Sequence, residues 1–254
     1  MALEFGAYSH RGKVRKQNED SYYIPSCKYK IDGLFMVADG MGGHRAGDVA
    51  SKMVVREITS YFNEHFGDMT TFDDVKDIMH QSIEQANKVV YDHSLMDEKY
   101  EGMGTTLTMA YFYGDKVCIA HVGDSRGYLF RNKTVNQITR DHSLVQELLE
   151  NGSITREEVE HHPQKNVITR ALGTDRDVEI DYYQIDLEDG DIVLLCTDGL
   201  VAHVDIEDMD DSIIIANSDA EDLAKILVRK ALDGGGIDNI TVVIVKYDKV
   251  AEER

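Results

Sequence analysis

A chain of 254 residues is long enough to bury a substantial core, as one large domain or two small ones. Its 47 acidic against 27 basic residues give a formal net charge of −20, which argues against nucleic acid or an anionic membrane as partner, because both need Lys and Arg. The acidic excess either keeps the protein soluble or binds cations. Cys27, Cys118 and Cys196 are widely spaced, and the last two sit inside apolar runs. They read as small buried hydrophobes of a reducing compartment. The opening MALEFGAYSHRGK lacks a basic-then-apolar signal pattern, and no run approaches the ~18 apolar residues of a membrane helix. A cytoplasmic location is expected.

In chain order, Phe5–Ser9 and SYYI at 21–24 read as strands, and IDGLFMVA at 31–38 as a buried strand bounded by turn signals. From Arg45 the apolar spacing becomes helical, through Ala46, Val49, Ala50, Met53, Val54, Ile58 and Phe62. A second helix is predicted from Phe72 to Leu95, with Thr71 and Asp74 as a capping box. TTLTMAYFY, KVCIAHV, RGYLFR and TVNQI follow as strands, with hairpin turns at Gly114-Asp115 and Asn132-Lys133. About 143–182 is polar, charged and only weakly helical, an excursion from the main fold. DIVLLC resumes the sheet. A helix capped by Ser218 and Glu221 carries Leu223, Ala224, Leu227 and Ala231 and ends at the glycines 234–236; ITVVIVKY closes as a strand. Strict β-α-β alternation is absent, so hairpins and antiparallel sheets are favoured. Continuous apolar strands need cover on both faces. The expectation is an α+β fold, an αββα sandwich of two mainly antiparallel sheets flanked by helices, in a single domain over 1–254.

Three apolar runs abut carboxylates: LFMVADG, VLLCTDG and IDNITVVIV. Asp39, Asp124 and Asp198 follow strands; Asp20 and Asp238 precede them. Neighbouring antiparallel strands put one strand's end beside the next one's start, so all five can meet at one rim. Two unit charges ~4 Å apart repel by roughly 4 kcal/mol at an effective dielectric of 20. Arg15 and Arg126 are the few local cations. All-oxygen ligands suit Mg²⁺ or Mn²⁺, and Gly40 leaves its carbonyl free to approach a metal. Each Asp-Gly alone is also an ordinary turn; the combination favours metal.

RKQNED at 15–20, VADGMGGHRAGDVAS at 37–51, GMGTTL at 102–107, VGDSRGYLFR at 122–131, TRALG at 169–173, TDGL at 197–200 and DNITVV at 238–243 stand in this order. Together they resemble the bacterial metal-dependent Ser/Thr protein phosphatases (the PPM or type 2C family) over roughly residues 3–247. The resemblance implies two ions, Mn²⁺ or Mg²⁺, and a weaker third. Asp39 resembles the bridging ligand, Gly40 the carbonyl ligand, and Asp198 and Asp238 the other carboxylates. Asp124 with Asp198 matches the third site, Glu19 and Asp20 the residues holding metal-bound waters, and Arg15 the phosphate-gripping arginine. Many relatives carry His after the Asp-Gly pair, where this chain has Met41. His44 either takes the general-acid role or caps the following helix. The 143–182 excursion matches a flap beside the site, or else is a plain surface loop.

The implied reaction is hydrolysis of phosphoserine or phosphothreonine by a metal-bridging water, opposing a bacterial Ser/Thr kinase, with that kinase and its substrates as partners and the protein a monomer. Two alternatives share the fold: a partner-switching phosphatase specific for one regulatory phosphoprotein, and a non-catalytic metal-binding module. The module predicts lost ligands, yet Asp39, Asp198 and Asp238 are present. A calcium-binding protein would favour a contiguous D-x-D-x-D-G loop, which is absent.

Overall fold

The computed structural model describes residues 2–26, 31–42, 46–207 and 219–249. Cys27 and Ser218, the helix cap expected from the sequence, lie outside these residues. The strands are β1 (Ala2–His10), β2 (Asp20–Tyr23), β3 (Leu34–Met41), β4 (Gly104–Thr105), β5 (Leu107–Tyr113), β6 (Lys116–Val122), β7 (Arg126–Arg131), β8 (Thr134–Gln137), β9 (Asp181–Asp186), β10 (Ile192–Cys196) and β11 (Ile240–Asp248). They form two antiparallel sheets, one in the order β1-β11-β10-β7-β8 and one in the order β2-β3-β5-β6-β9, with β4 paired to β3. The α-helices among the described residues are α1 (Ala46–Glu64), α2 (Phe72–Ser94), α3 (Leu144–Glu150), α4 (Arg156–His161), α5 (Asp198–Val201) and α6 (Ala220–Asp233). None is long and apolar enough to cross a membrane.

The period-2 alternation of β3 shows why its apolar run is unbroken. Leu34 and Met36 face α1 and α2, packing with Val54, Ile58, Met79 and Ile83. Phe35 and Val37 face the other sheet, packing with Val193, Leu195, Val243 and Val245. Phe35 meets Phe5 and Phe112 edge-on at 5.2 and 5.5 Å. On the far side, α6 lays Leu223, Ala224, Leu227 and Ala231 against Leu194, Cys196, Val242 and Ile244. The expected four layers are therefore present. Cys118 and Cys196 are buried free thiols, as expected.

Local signals explain the boundaries. Thr71 and Asp74 form the reciprocal capping box that starts α2. Asp219, rather than Ser218, caps α6: its side chain accepts from the Asp222 N–H at 2.7 Å. Gly234 closes that helix, and Gly235 and Gly236 turn the chain away at φ 139° and 56°. The 143–182 stretch is more ordered than its polarity suggests. It carries α3 and α4, each with a side-chain N-cap from Ser143 and Thr155. It is pinned by bridges Ser143–Ile168 and Thr105–Leu172. Its last two expected residues, Asp181 and Tyr182, already belong to β9, an edge strand absent from the sequence reading. Half-buried Tyr183 and Ile185 alternate there with exposed Tyr182, Gln184 and Asp186.

The β7–β8 hairpin turns through Asn132 at φ 51° and Lys133 at φ 64°, the two positive angles of a type I′ turn. Lys133 has a side chain where glycine is favoured. Lys133→Gly should raise the unfolding free energy by ~0.5–1 kcal/mol, read as a higher urea midpoint at unchanged slope. A lower midpoint would show that the turn is not strained.

Candidate active site

Each expected carboxylate sits where an apolar strand reaches the same rim. Asp20 opens β2 directly opposite Asp39 of β3. In the other sheet, Asp198 follows β10 and starts α5, while Asp238 and Asn239 lead into β11. Asp124 lies in the β6–β7 connection. Hydrogen bonds lock these ends together. The Asp39 N–H donates to Thr106 Oγ1 at 2.9 Å, the Asp39 carbonyl accepts from the Thr105 hydroxyl at 2.8 Å, and the Thr106 and Ser125 hydroxyls share a bond of 2.7 Å. Asp20 spans the two sheets: its Oδ2 accepts from the hydroxyls of Thr197 at 2.9 Å and Thr241 at 2.6 Å.

Asn239 does comparable work on the β1–β2 connection. Its amide donates to the carbonyls of Arg11 and Gln17, each at 2.9 Å, and its Oδ1 accepts from the Glu19 N–H at 2.8 Å. In the sequence Asn239 stands out through the Asp-Asn motif, with no sign of this bridging role. Its burial beside a long polar loop is what gives it this role. Gly40 is required for packing. A Cβ on it would collide with the Gly47 carbonyl, so β3 and α1 approach backbone to backbone.

The charges are poorly compensated. Asp39, Asp124 and Asp198 keep some solvent contact as residues, yet their carboxyls are desolvated. Burial pushes the Asp39 carboxyl well above its ordinary range, and repulsion from Asp20, Asp198, Asp124 and Asp238 adds to it. Asp20 is pushed up to about 7 and Asp124 to about 8, each by burial first; nearby Asp198 then raises both further. Asp198 is also raised, by burial and by repulsion from Asp238, although nearby Asp39 and Arg15 oppose the shift. Burial likewise raises Glu19, against the attraction of Arg15. The two candidate cations differ. Arg15 Nη2 donates to Asp238 Oδ2 at 2.7 Å. Arg126 is committed elsewhere, making a bidentate pair with Asp141 at 2.7–3.0 Å.

One carboxylate oxygen of each of Asp20, Asp124 and Asp198 is buried without a hydrogen-bond partner. Buried acceptors of this kind are rare, and they point to a missing cation. Among the described residues, no three His, Cys, Asp or Glu side chains close into a group able to hold an ion by themselves. The donors fit a hard ion that takes one or two carboxylates and keeps its waters, as Mg²⁺ does. His44 lies outside the described residues. Met41 ends β3 opposite Gly104.

The protein phosphatase 2C family model matches residues 8–227. The chain belongs to the protein phosphatase 2C family. It is 42% identical over 246 residues to serine/threonine phosphatase stp of Listeria welshimeri, covering 96% of each chain. It is 36% identical over 249 residues to protein phosphatase PhpP of Streptococcus pneumoniae, covering 97% of this chain and 98% of that one. The S. agalactiae serine/threonine phosphatase structure aligns with a TM-score of 0.90 at 36% identity, covering 98% of this chain and all of that one. The catalytic domain of PstP in complex with two manganese ions aligns with a TM-score of 0.84 at 36% identity, covering 97% and 99%. This phosphatase is thus a metal-dependent enzyme of that family.

The raised carboxyls fix the sign of a pH effect. With Asp20 near 7 and Asp124 near 8 against an ordinary 3.8, the folded metal-free protein binds more protons than the unfolded chain across that window. Its stability therefore falls as pH rises from about 4 to 8. In EDTA the melting temperature should be higher at pH 6 than at pH 8, with a shallower slope in Asp20→Asn. Mn²⁺ should raise it most at pH 8. A melting temperature in EDTA that climbs between pH 6 and 8, unchanged by Asp20→Asn, would contradict the assignment.

Proposed function

We propose that this phosphatase hydrolyses phosphoserine and phosphothreonine in proteins modified by a Ser/Thr kinase, the kinase included, in the cytoplasm. The observation that carries the reading is the meeting of Asp39, Asp198 and Asp238, from three strand ends of two sheets, around orphaned buried oxygens. Asp39, the Gly40 carbonyl, Asp198 and Asp238 would hold two ions, Mn²⁺ or Mg²⁺, and Asp124 with Asp198 a third. Such ions, when bound, supply an activated water and a positive field for in-line displacement at phosphorus. The chain's own groups do the rest. Arg15, half-exposed at the rim, offers a planar fork to two phosphate oxygens once an ion satisfies Asp238. Glu19 and Asp20 would accept from ion-bound waters. The Asp20 clamp on Thr197 and Thr241 holds the two sheets' ends in register. The excursion is pinned through Leu172 to Thr105, next to Asp39, and serves as a flap over the substrate.

Cysteine chemistry is disfavoured, because burial lifts the Cys118 thiol to about 11 and the Cys196 thiol to about 12. No covalent phosphoenzyme is expected. Asp198→Asn should lower Mn²⁺-dependent turnover of p-nitrophenyl phosphate by at least ~100-fold. Its metal-free melting temperature should hold or rise, since a repelling charge is gone. Full turnover in this variant would defeat the scheme.

A further inference from the structure

Beside the carboxylate rim lies an open cleft of about 840 Å³. One wall is the β1–β2 connection, with Arg15, Lys16 and Glu19. The other is the short 3-10 turn after α2, with Lys99 and Tyr100. The first turn of α1 forms the floor, including Asp48. Arg15 and Glu19 belong to both the cleft and the rim. A polypeptide whose phosphate reaches Arg15 therefore lays one flank of its chain between Lys16 and Lys99.

The charge here departs from the rest of the molecule. Three cations face the cleft in a chain of net charge −20. Of the two acids there, Asp48 is already paired with Lys52 at 2.5 Å, and half-buried Glu19 feels the attraction of Arg15. Lys16 is exposed; its described bond is through its main-chain carbonyl, which accepts from Arg11 at 3.3 Å. The Lys99 ammonium lies 4.7 Å over the Tyr100 ring and pairs with exposed Asp97 at 2.9 Å. Exposed pairs of this kind are weak and exchange partners readily. Both lysines are thus available to a carboxylate on a passing chain, with an aromatic ring beneath one of them.

We propose that this cleft reads the residues flanking the phosphoresidue, and that Lys16 and Lys99 select substrates with Asp or Glu side chains there. The inference rests on the phosphoprotein reading above. It is tested with one phosphothreonine peptide carrying Glu, Gln or Lys at the flanking positions, assayed with Mn²⁺ on the full chain. Wild-type kcat/KM should favour the Glu-flanked over the Lys-flanked peptide by roughly tenfold at low salt, and the preference should shrink at about 0.5 M salt. In Lys16→Glu/Lys99→Glu the ratio should vanish or invert. Each ratio is taken within one preparation, so a partly unfolded variant does not disturb it. Equal efficiency on all three peptides, or a ratio the double variant leaves unchanged, overturns the cleft reading alone. Turnover of p-nitrophenyl phosphate with none of the phosphopeptides instead overturns the phosphoprotein reading, and the cleft reading falls with it.

Discussion

Like charges held in a half-buried rim set the terms for this molecule. Burial first, and then repulsion within the set formed with Asp238, raises the carboxyls of Asp20, Asp39, Asp124 and Asp198, Asp20 to about 7 and Asp124 to about 8. Water would normally screen such a group, but the surrounding strands remove most of it. Three orphaned oxygens show a structure that carries the repulsion instead of relaxing it. The flanking Arg15–Asp238 pair offsets part of the charge, and Arg126 offsets little because Asp141 occupies it.

The sandwich holds the strain because the rim hangs on a shared inter-sheet core and on a helix-covered core outside each sheet. β3 is anchored on one face by α1 and α2 and on the other by the opposing sheet. β10 and β11 are anchored by α6 and the same inter-sheet core. None of the three strand ends can withdraw without disturbing buried Phe35, Leu194 or Val243. The Asp20–Thr197–Thr241 cluster then ties the two sheets across the rim, where apolar packing stops.

Much of this was legible in the sequence for a physical reason. Long strands buried on both faces must be continuously apolar, so a carboxylate at their tip stands out, as Asp39 and Asp198 do. Helical periodicity marked α1, α2 and α6, and turn chemistry marked Gly114 and Asn132-Lys133. The groups that position the carboxylates were not visible. Thr105, Thr106, Thr197 and Thr241 look like ordinary β-formers until their hydroxyls are seen bridging strands far apart in the chain. Asn239 acts over more than 200 residues of sequence separation. β9 was hidden because an edge strand buries only one face weakly. α3 and α4 were hidden because short, charged helices rest on their caps more than on an apolar stripe.

If divalent ions and protons compete for the same buried oxygens, binding one must expel the other. Isothermal titration calorimetry of Mn²⁺ into the metal-free protein at pH 7, repeated in buffers of different ionisation enthalpy, measures that exchange. The account predicts a net release of protons per protein, reduced in Asp39→Asn. Tight binding with no proton release, or no binding at all, would contradict it.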